Sequence, residues 1–363
     1  MPVTPPSFLI PNEPLARHTT IGLGGAARLF APCTTRDELV AALAYADAAG
    51  VPVHILSGGS NTIFADEGFD GLVVHLRMRG RASEAGPDAV IVRAACGEPW
   101  DDLVAYAVEN EWGGIECLSG IPGTVGATPV QNVGAYGQEV RETISSVTAL
   151  DRSSRVGVTF SADECGFAYR QSRFKDQDAD RFVIIEVEFR LQPHGAPRIQ
   201  YAELRKSLEE SDPGAPDQRP LSLVRNTVLG LRRGKSMVYD PSDENFRSVG
   251  SFFMNPVISA TRAEFLRNEY ELRGEGTPMP VYPVVGGAKL SAAWLVEHSG
   301  FLKGTRRGGV GISTRHALAL VNHGGTTREL LELADAIQHA VLTRFGVRLE
   351  REPQVIPFHP RGG

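Results

Sequence analysis

Gly120-Ile121-Pro122-Gly123-Thr124-Val125-Gly126-Ala127-Thr128-Pro129-Val130-Gln131-Asn132-Val133-Gly134-Ala135-Tyr136-Gly137 carries five glycines, two prolines and no side chain charged at neutral pH. It has neither a helical period nor strand alternation, so it reads as irregular backbone held in one shape. Glycine admits positive φ and lets backbone N–H groups come close to a ligand. Successive N–H groups in such turns make an anion-binding concavity without any cation. Two readings stand at this point, a ligand cradle and a Gly/Pro-rich connector.

Toward the N-terminus, residues 51–56 read as a short buried strand that opens into Ser57-Gly58-Gly59-Ser60-Asn61. A strand feeding such a loop is either a phosphate cradle or a tight turn, and no Gly-Lys-Ser/Thr follows to make it a Walker loop. Thr35 reads as an N-cap with Glu38 as its capping-box partner, for a helix that runs to Ala49 and ends at Gly50. Residues 72–76 and 90–95 read as strands. Residues 99–110 read as a helix with Trp100, Leu103, Val104, Ala107 and Val108 on one face. Gly22, Gly24 and Ala27 fit a G-x-G-x-x-A pattern, but no buried strand precedes them and Pro32 stops any helix after them, so the dinucleotide fingerprint is rejected. Residues 1–14, rich in proline, read as a poorly ordered lead-in. Helices and strands that alternate and then deliver two Gly-rich loops fit an α+β or α/β nucleotide-binding domain.

Toward the C-terminus, residues 147–151, 156–160 and 181–191 read as strands, with Gly166-Phe167-Ala168-Tyr169-Arg170 in a loop between them. Residues 193–220 are rich in proline and charge and read as a long excursion or a domain boundary. Residues 223–233 read as a helix. Gly234-Lys235-Ser236 after it is no P-loop, because Leu229 stands where the first glycine is required. Gly250-Ser251-Phe252-Phe253 reads as a strand end with two core aromatics. Thr261 reads as the cap of another helix, with Glu264 as box partner, and residues 289–298 as an amphipathic helix. Thr326 and Glu329 repeat the capping box for a helix to about Phe345 with Leu330, Leu333, Ala334, Ile337 and Val341 apolar. Residues 347–352 read as a closing strand.

The chain has 363 residues, which suggests two or three domains. Its net charge of −6 argues against nonspecific nucleic-acid binding. Cys33, Cys96, Cys117 and Cys165 form no close pair, so they read as reduced, buried thiols and as no metal site. No secretion signal and no apolar run of about 20 residues is present, so membrane insertion is not expected and a cytoplasmic location is.

Six stretches, taken together and in order, resemble the UDP-N-acetylenolpyruvoylglucosamine reductases. They are residues 57–61, 120–137, 166–170, 250–256, 288–295 and 350–352. The resemblance spans about residues 17–357. It implies an N-terminal FAD-binding domain of the vanillyl-alcohol oxidase / p-cresol methylhydroxylase type in two subdomains, residues 15–222, with a 193–220 lid excursion. A C-terminal α+β domain for the UDP-sugar would span 223–357. The class expected is therefore α+β, in a monomer.

By the same resemblance, Ser57, Gly58, Gly59, Ser60, Asn61, Ile121, Pro122, Gly123, Gly126, Ala127, Thr128, Val130, Gly134, Tyr136 and Arg232 hold FAD. NADPH would reduce the flavin, and flavin N5 would pass hydride to the vinyl carbon of UDP-N-acetylglucosamine enolpyruvate. Arg170 matches the arginine that faces the substrate carboxylate, Ser251 the proton donor and Glu352 the C-terminal glutamate. Tyr201 matches a tyrosine over the UDP, and Lys235, Asn255, Tyr282 and Lys289 fall where the pyrophosphate and uridine are contacted. Arg351-Glu352-Pro353 replaces the usual Pro-Glu-Val. A covalent-flavin oxidase of the same fold is the rival, though residues 57–61 offer no tether and His54 lies inside the preceding strand. A noncatalytic nucleotide-binding protein is the other, and it would need none of Arg170, Ser251 and Glu352.

Overall fold

Thr35 is extended, at φ −130° and ψ 160°; its hydroxyl accepts the Glu38 N–H, and the Glu38 carboxylate accepts the Thr35 N–H at 3.1 Å. This box opens α1 (Arg36–Ala49), which Gly50 closes in the left-handed region at φ 59°. The computed structural model of the chain describes residues 4–211, 214–215, 218–274 and 276–358. Among them α1 is followed by α2 (Trp100–Glu109), α3 (Ala202–Ser211), α4 (Leu221–Gly234), α5 (Ala260–Arg273), α6 (Ala292–His298) and α7 (Thr327–Phe345). Of the described residues, no helix is long and apolar enough to cross a membrane.

The chain divides into two compact units. The first takes the chain up to Glu13, Ala27–Gly59 and Asp70–Val238. The second takes Pro14–Ala26, Ser60–Phe69 and the chain from Tyr239 onward. The sequence reading put a boundary between 222 and 223, which falls inside α4. That helix buries Val224 and Val228 against Leu204 and Leu208 of α3 and Cys117, so the break comes only after Val238.

In the first unit one sheet runs in the order Ile10–Pro14, Ala26–Cys33, Phe69–Leu76, Val53–Leu56, the last two parallel. A second runs Gly157–Ser161, Ile144–Asp151, Phe182–Pro193, Val90–Ala95, Arg81–Ala85 and is antiparallel throughout. Val187, Phe189 and Leu191 alternate inward along its central strand, and a register shift at Thr148/Ala149 moves that alternation on. All five apolar residues foreseen on α2 are buried, beneath this sheet's core. Mixed pairing with helices of this kind is α+β.

The second unit holds an antiparallel sheet in the order Ser248–Ser251, Ala319–Asn322, Val310–Ile312, Arg306–Arg307. A three-stranded sheet runs Val257–Ile258, Gly287–Leu290, Val281–Val284, and Gln354–Ile356 pairs in parallel with Thr62–Phe64. Thr326 and Glu329 form the second capping box as read, and α7 buries Leu330, Leu333, Ala334, Ile337 and Val341.

Several expectations are corrected. Residues 10–14 of the supposed lead-in form a strand, while residues 1–3 lie outside the described ones. The cap of α5 is Ser259, whose hydroxyl accepts the Arg262 N–H; the helix begins at Ala260, so Thr261 is already helical. Lys289 is on the strand Gly287–Leu290, and only Ser291 caps the helix that follows. The 193–220 excursion contains α3, whose Leu204 and Leu208 are four residues apart and both buried; residues 212–213 and 216–217 lie outside the described ones. The closing strand is Gln354–Ile356, later than residues 347–352, of which only Arg351 bridges to Phe253. The four cysteines, by contrast, are free and buried as expected.

Candidate active site

The two Gly-rich loops meet in the first unit. The Ser57 and Thr124 hydroxyls are hydrogen-bonded to each other. A Cβ added at Gly58 would stand 2.5 Å from the Gly123 Cα, so backbone packs on backbone and only glycine fits. Gly126 and Val125 donate to the Cys96 and Glu98 carbonyls at 2.9 Å, which ties residues 125–127 to the end of the strand Val90–Ala95. Ala127 and Thr128 continue as a short helical turn, with the Thr128 hydroxyl on the Val125 carbonyl. Tyr136 and Gly137, at φ 49° and 86°, turn a small hairpin between Gly134–Ala135 and Gln138–Glu139. The stretch is thus irregular only in part.

Asp101, in the first turn of α2, clamps the start of this stretch. Its Oδ1 accepts the Gly120 N–H at 2.6 Å, and its two oxygens take a bidentate Arg225 at 2.6 and 2.9 Å. Burial pushes this carboxyl up, but Arg225 and the Gly120 N–H outweigh burial and hold it below the ordinary aspartate value. Arg232, in the last turn of α4, donates to the Met237 carbonyl at 2.6 Å, while its buried Nε has no hydrogen-bond partner. That Nε lies 3.4 Å from where a Gly120 Cβ would be. Burial lowers the Arg232 pKa, with Tyr136 and Asp101 opposing.

These features fit a flavin nucleotide. The loops approach each other with no Cβ between Gly58 and Gly123. Residues 57–61 and 120–137 contain no carboxylate to repel a pyrophosphate. An unpartnered buried guanidinium nitrogen faces the same stretch, and cations so placed suit an anionic or carbonyl-bearing ligand. FAD would be held there by residues 57–59, residues 120–137 and Arg232. His54, the histidine nearest the first loop, lies within the strand Val53–Leu56, where burial pushes its pKa down to about 4.

Arg170 is fastened to the same stretch. It adopts φ 55°, unusual for a side-chain-bearing residue, and donates to the Gly134 carbonyl at 3.1 Å. Its turn is pinned by fully buried Asn132, which donates to the Ala168 carbonyl at 3.0 Å, and by Ser172, which donates to the Val130 carbonyl at 2.6 Å. The over-determined backbone is what lets Arg170 keep the left-handed conformation. Tyr201 packs edge-on against Tyr136 with ring centroids 5.3 Å apart. Lys235, next to the end of α4, holds Glu203 at 2.5 Å and lies 5.8 Å from the Tyr136 ring centre. Burial pushes the Tyr136 phenol up to about 12. Two of the expected substrate contacts thus gather around one expected flavin residue.

In the second unit Ser251 and Glu352 lie on adjoining backbones. Phe252, after Ser251, accepts the Glu352 N–H at 2.9 Å, and Met254 donates to the Glu350 carbonyl at 2.9 Å. Gly250, at φ 74°, stands just before Ser251 at the end of the strand Ser248–Ser251, and Phe252 and Phe253 after it are buried in the core. Asn61 is tied to the same segment: its amide donates to the Glu352 carbonyl at 3.2 Å and its carbonyl accepts the Gln354 N–H at 2.9 Å. Gln338 of α7 donates to the Leu349 carbonyl and accepts Arg351, which also pairs with Asp335. Arg351, the departure from the usual Pro-Glu-Val, is therefore an anchor for Glu352. Asn255 accepts the Ala292 N–H at 2.9 Å at the start of α6. Tyr282 and Lys289 are direct cross-strand partners, with Val257 on the other side of Lys289.

Cys117 is fully buried with Ile199, Leu204 and Val228, and its N–H donates to Gln138 Oε1. Asp101, Arg225 and Glu203 were not singled out from sequence. Asp101 there reads as an ordinary acidic residue at a helix start, and its partners stand far along the chain.

Residues 240–356 match the family model for the UDP-N-acetylenolpyruvoylglucosamine reductase C-terminal domain, and residues 27–158 match that of an FAD binding domain. A UDP-N-acetylenolpyruvoylglucosamine reductase of Thermobifida fusca is 47% identical over 350 residues, covering 95% of this chain and 97% of its own. The protein of that name from Salinispora arenicola is 47% identical over 350 residues, 94% of each chain. The crystal structure of the UDP-N-acetylenolpyruvylglucosamine reductase from Thermus caldophilus aligns with a TM-score of 0.62 at 23% identity, over 96% of this chain and 98% of that one.

Proposed function

Because this chain belongs to the UDP-N-acetylenolpyruvoylglucosamine reductase family and is a flavin-dependent oxidoreductase, we propose that it uses NADPH to reduce UDP-N-acetylglucosamine enolpyruvate to UDP-N-acetylmuramate. What supports the reading most is similarity over nearly the whole length of both chains, 47% over 350 residues. FAD held in this cradle would supply the hydride chemistry that connects NADPH with the vinyl CH2 carbon.

The chain's own residues do the rest. Arg170 grips the enolpyruvyl carboxylate with its planar fork and offsets the negative charge that gathers there as hydride arrives. The Ser251 hydroxyl gives its proton to the neighbouring carbon. A hydroxyl is a weak acid, and it serves here because the enediolate-like species is strongly basic. Glu352 steadies the charge around Ser251. Lys235, Asn255, Tyr282 and Lys289 hold the uridine diphosphate, and Tyr201 covers it from the 193–220 segment. Residues 57–59, residues 120–137 and Arg232 cradle the cofactor. On this reading the enzyme is a monomer of the cytoplasm, where peptidoglycan precursors are made.

The test is a visible spectrum of the holoenzyme under anaerobic conditions. NADPH should bleach the flavin, and the enolpyruvyl UDP-sugar should restore its colour. Colour that returns with oxygen but not with the sugar would refute the reductase reading.

A further inference from the structure

Lys235 and Glu203 join two helix ends. Glu203 is in the first turn of α3, where the helix dipole favours a carboxylate; Lys235 caps the end of α4, where it favours a cation. Their ion pair, at 2.5 Å, is half-buried, with side chains 31% and 40% exposed. Tyr201 immediately precedes α3, and its carbonyl accepts the Arg205 N–H at 2.9 Å, so the tyrosine is built into the start of that helix. Its ring lies on Tyr136. Lys235, Glu203, Tyr136 and Tyr201 therefore form one cluster in which the cation is already taken by an internal anion.

We propose that Glu203 is a built-in competitor for the diphosphate of the substrate at Lys235. The inference rests on the reading of Lys235 as a diphosphate contact. In the free enzyme Glu203 neutralises Lys235 and fastens the start of α3, with Tyr201, down on Tyr136. An arriving diphosphate displaces the carboxylate, because it brings at least two negative charges where Glu203 brings one. The exchange loosens Glu203 and frees the first turn of α3 to re-seat Tyr201 over the nucleotide. Ligands with less charge than a diphosphate do not make the exchange, so the pair also selects for UDP-linked sugars over uncharged sugars and nucleosides.

The probe is UDP, titrated by calorimetry into FAD-loaded wild type, Glu203→Gln, Lys235→Met and the double variant. FAD content and thermal midpoint are recorded for each to establish folding. Glu203→Gln removes both the internal competitor and its repulsion of the diphosphate, and UDP should bind roughly five-fold tighter. In the Lys235→Met background the same change should alter affinity by less than about two-fold. Weaker or unchanged binding by Glu203→Gln overturns the proposal, since a residue that merely orients Lys235 would give that result. Equal tightening with and without Lys235 also overturns it. Unchanged UDP affinity in Lys235→Met instead removes Lys235 from the substrate site, and the competitor falls with that reading.

Discussion

Asp101→Ala should destabilise the first unit and weaken its grip on the cofactor together. The carboxylate accepts three charge-assisted hydrogen bonds, one from Gly120 at 2.6 Å and two from Arg225 at 2.6 and 2.9 Å. Arg225 is 16% exposed and Asp101 35%. Stripping a partner from a fully buried ion pair costs about 3–5 kcal/mol, and partial exposure of Asp101 reduces the expectation to about 2–3 kcal/mol. For a unit of this size that is a fall in Tm of roughly 5–10 °C. Asp101→Asn retains an acceptor for Gly120 but not the charge, and should lose about half as much. Thermal unfolding read by the rise of flavin fluorescence measures both variants, and equilibrium dialysis measures FAD affinity, which should drop about ten-fold in Asp101→Ala. Replacing Arg225 by Met in the same chain removes the stranded charge and should recover part of the Tm. The carboxyl is held below its unfolded value of about 3.9, so its contribution is complete above that pH and fades as pH falls through the lower, folded value. An Asp101→Ala protein that melts within about 1 °C of wild type with full FAD affinity would refute the clamp.

Three further outcomes are expected. Gly58→Ala places a Cβ 2.5 Å from the Gly123 Cα, and should yield protein with several-fold weaker FAD binding but an intact second unit, seen as apoprotein that still melts cooperatively. Asn322→Ala removes a buried amide that donates to the Ile21 and Gly22 carbonyls and accepts the Gly324 and Gly325 N–H groups, at 2.8–3.1 Å. It should cost about 2–4 kcal/mol in urea unfolding, and a loss under about 0.5 kcal/mol would contradict the role. Ser251→Ala should leave flavin reduction by NADPH nearly intact in stopped flow and slow reoxidation by the enolpyruvyl sugar at least about a hundred-fold; loss of the first step instead would end the proton-donor assignment.

What the sequence reveals is local. Thr35 with Glu38 and Thr326 with Glu329 are complete within four residues, and both helices start where those pairs say. The period of Trp100, Leu103, Val104, Ala107 and Val108 likewise carries its own answer. At Ser259 two hydroxyl residues compete for one cap, and the strand that ends just before it decides the choice. Strands of two to four residues, such as Thr62–Phe64 and Ser248–Ser251, are too short to show alternation and exist because distant partners pair with them. Of the candidate site, glycines and motif residues are legible because backbone approach restricts their identity. Asp101, Glu203 and Asn132 are not, since an Asp, a Glu and an Asn are ordinary anywhere on a surface. Only the fold brings Gly120, Lys235 and Ala168 to them.

The second unit is stitched from three separate pieces of chain, and that has a cost during synthesis. The strand Thr62–Phe64 leaves the ribosome long before its partner Gln354–Ile356, roughly 290 residues later. At common elongation rates the wait is on the order of 15–60 s. Ile63 and Phe64, both fully buried in the finished protein, spend that interval as an apolar strand with an open edge. A nascent chain of this kind needs company: a chaperone that covers residues 60–69, or translation fast enough to outrun aggregation. Expression at slow elongation should therefore lose protein to inclusion bodies before any change in its activity is seen.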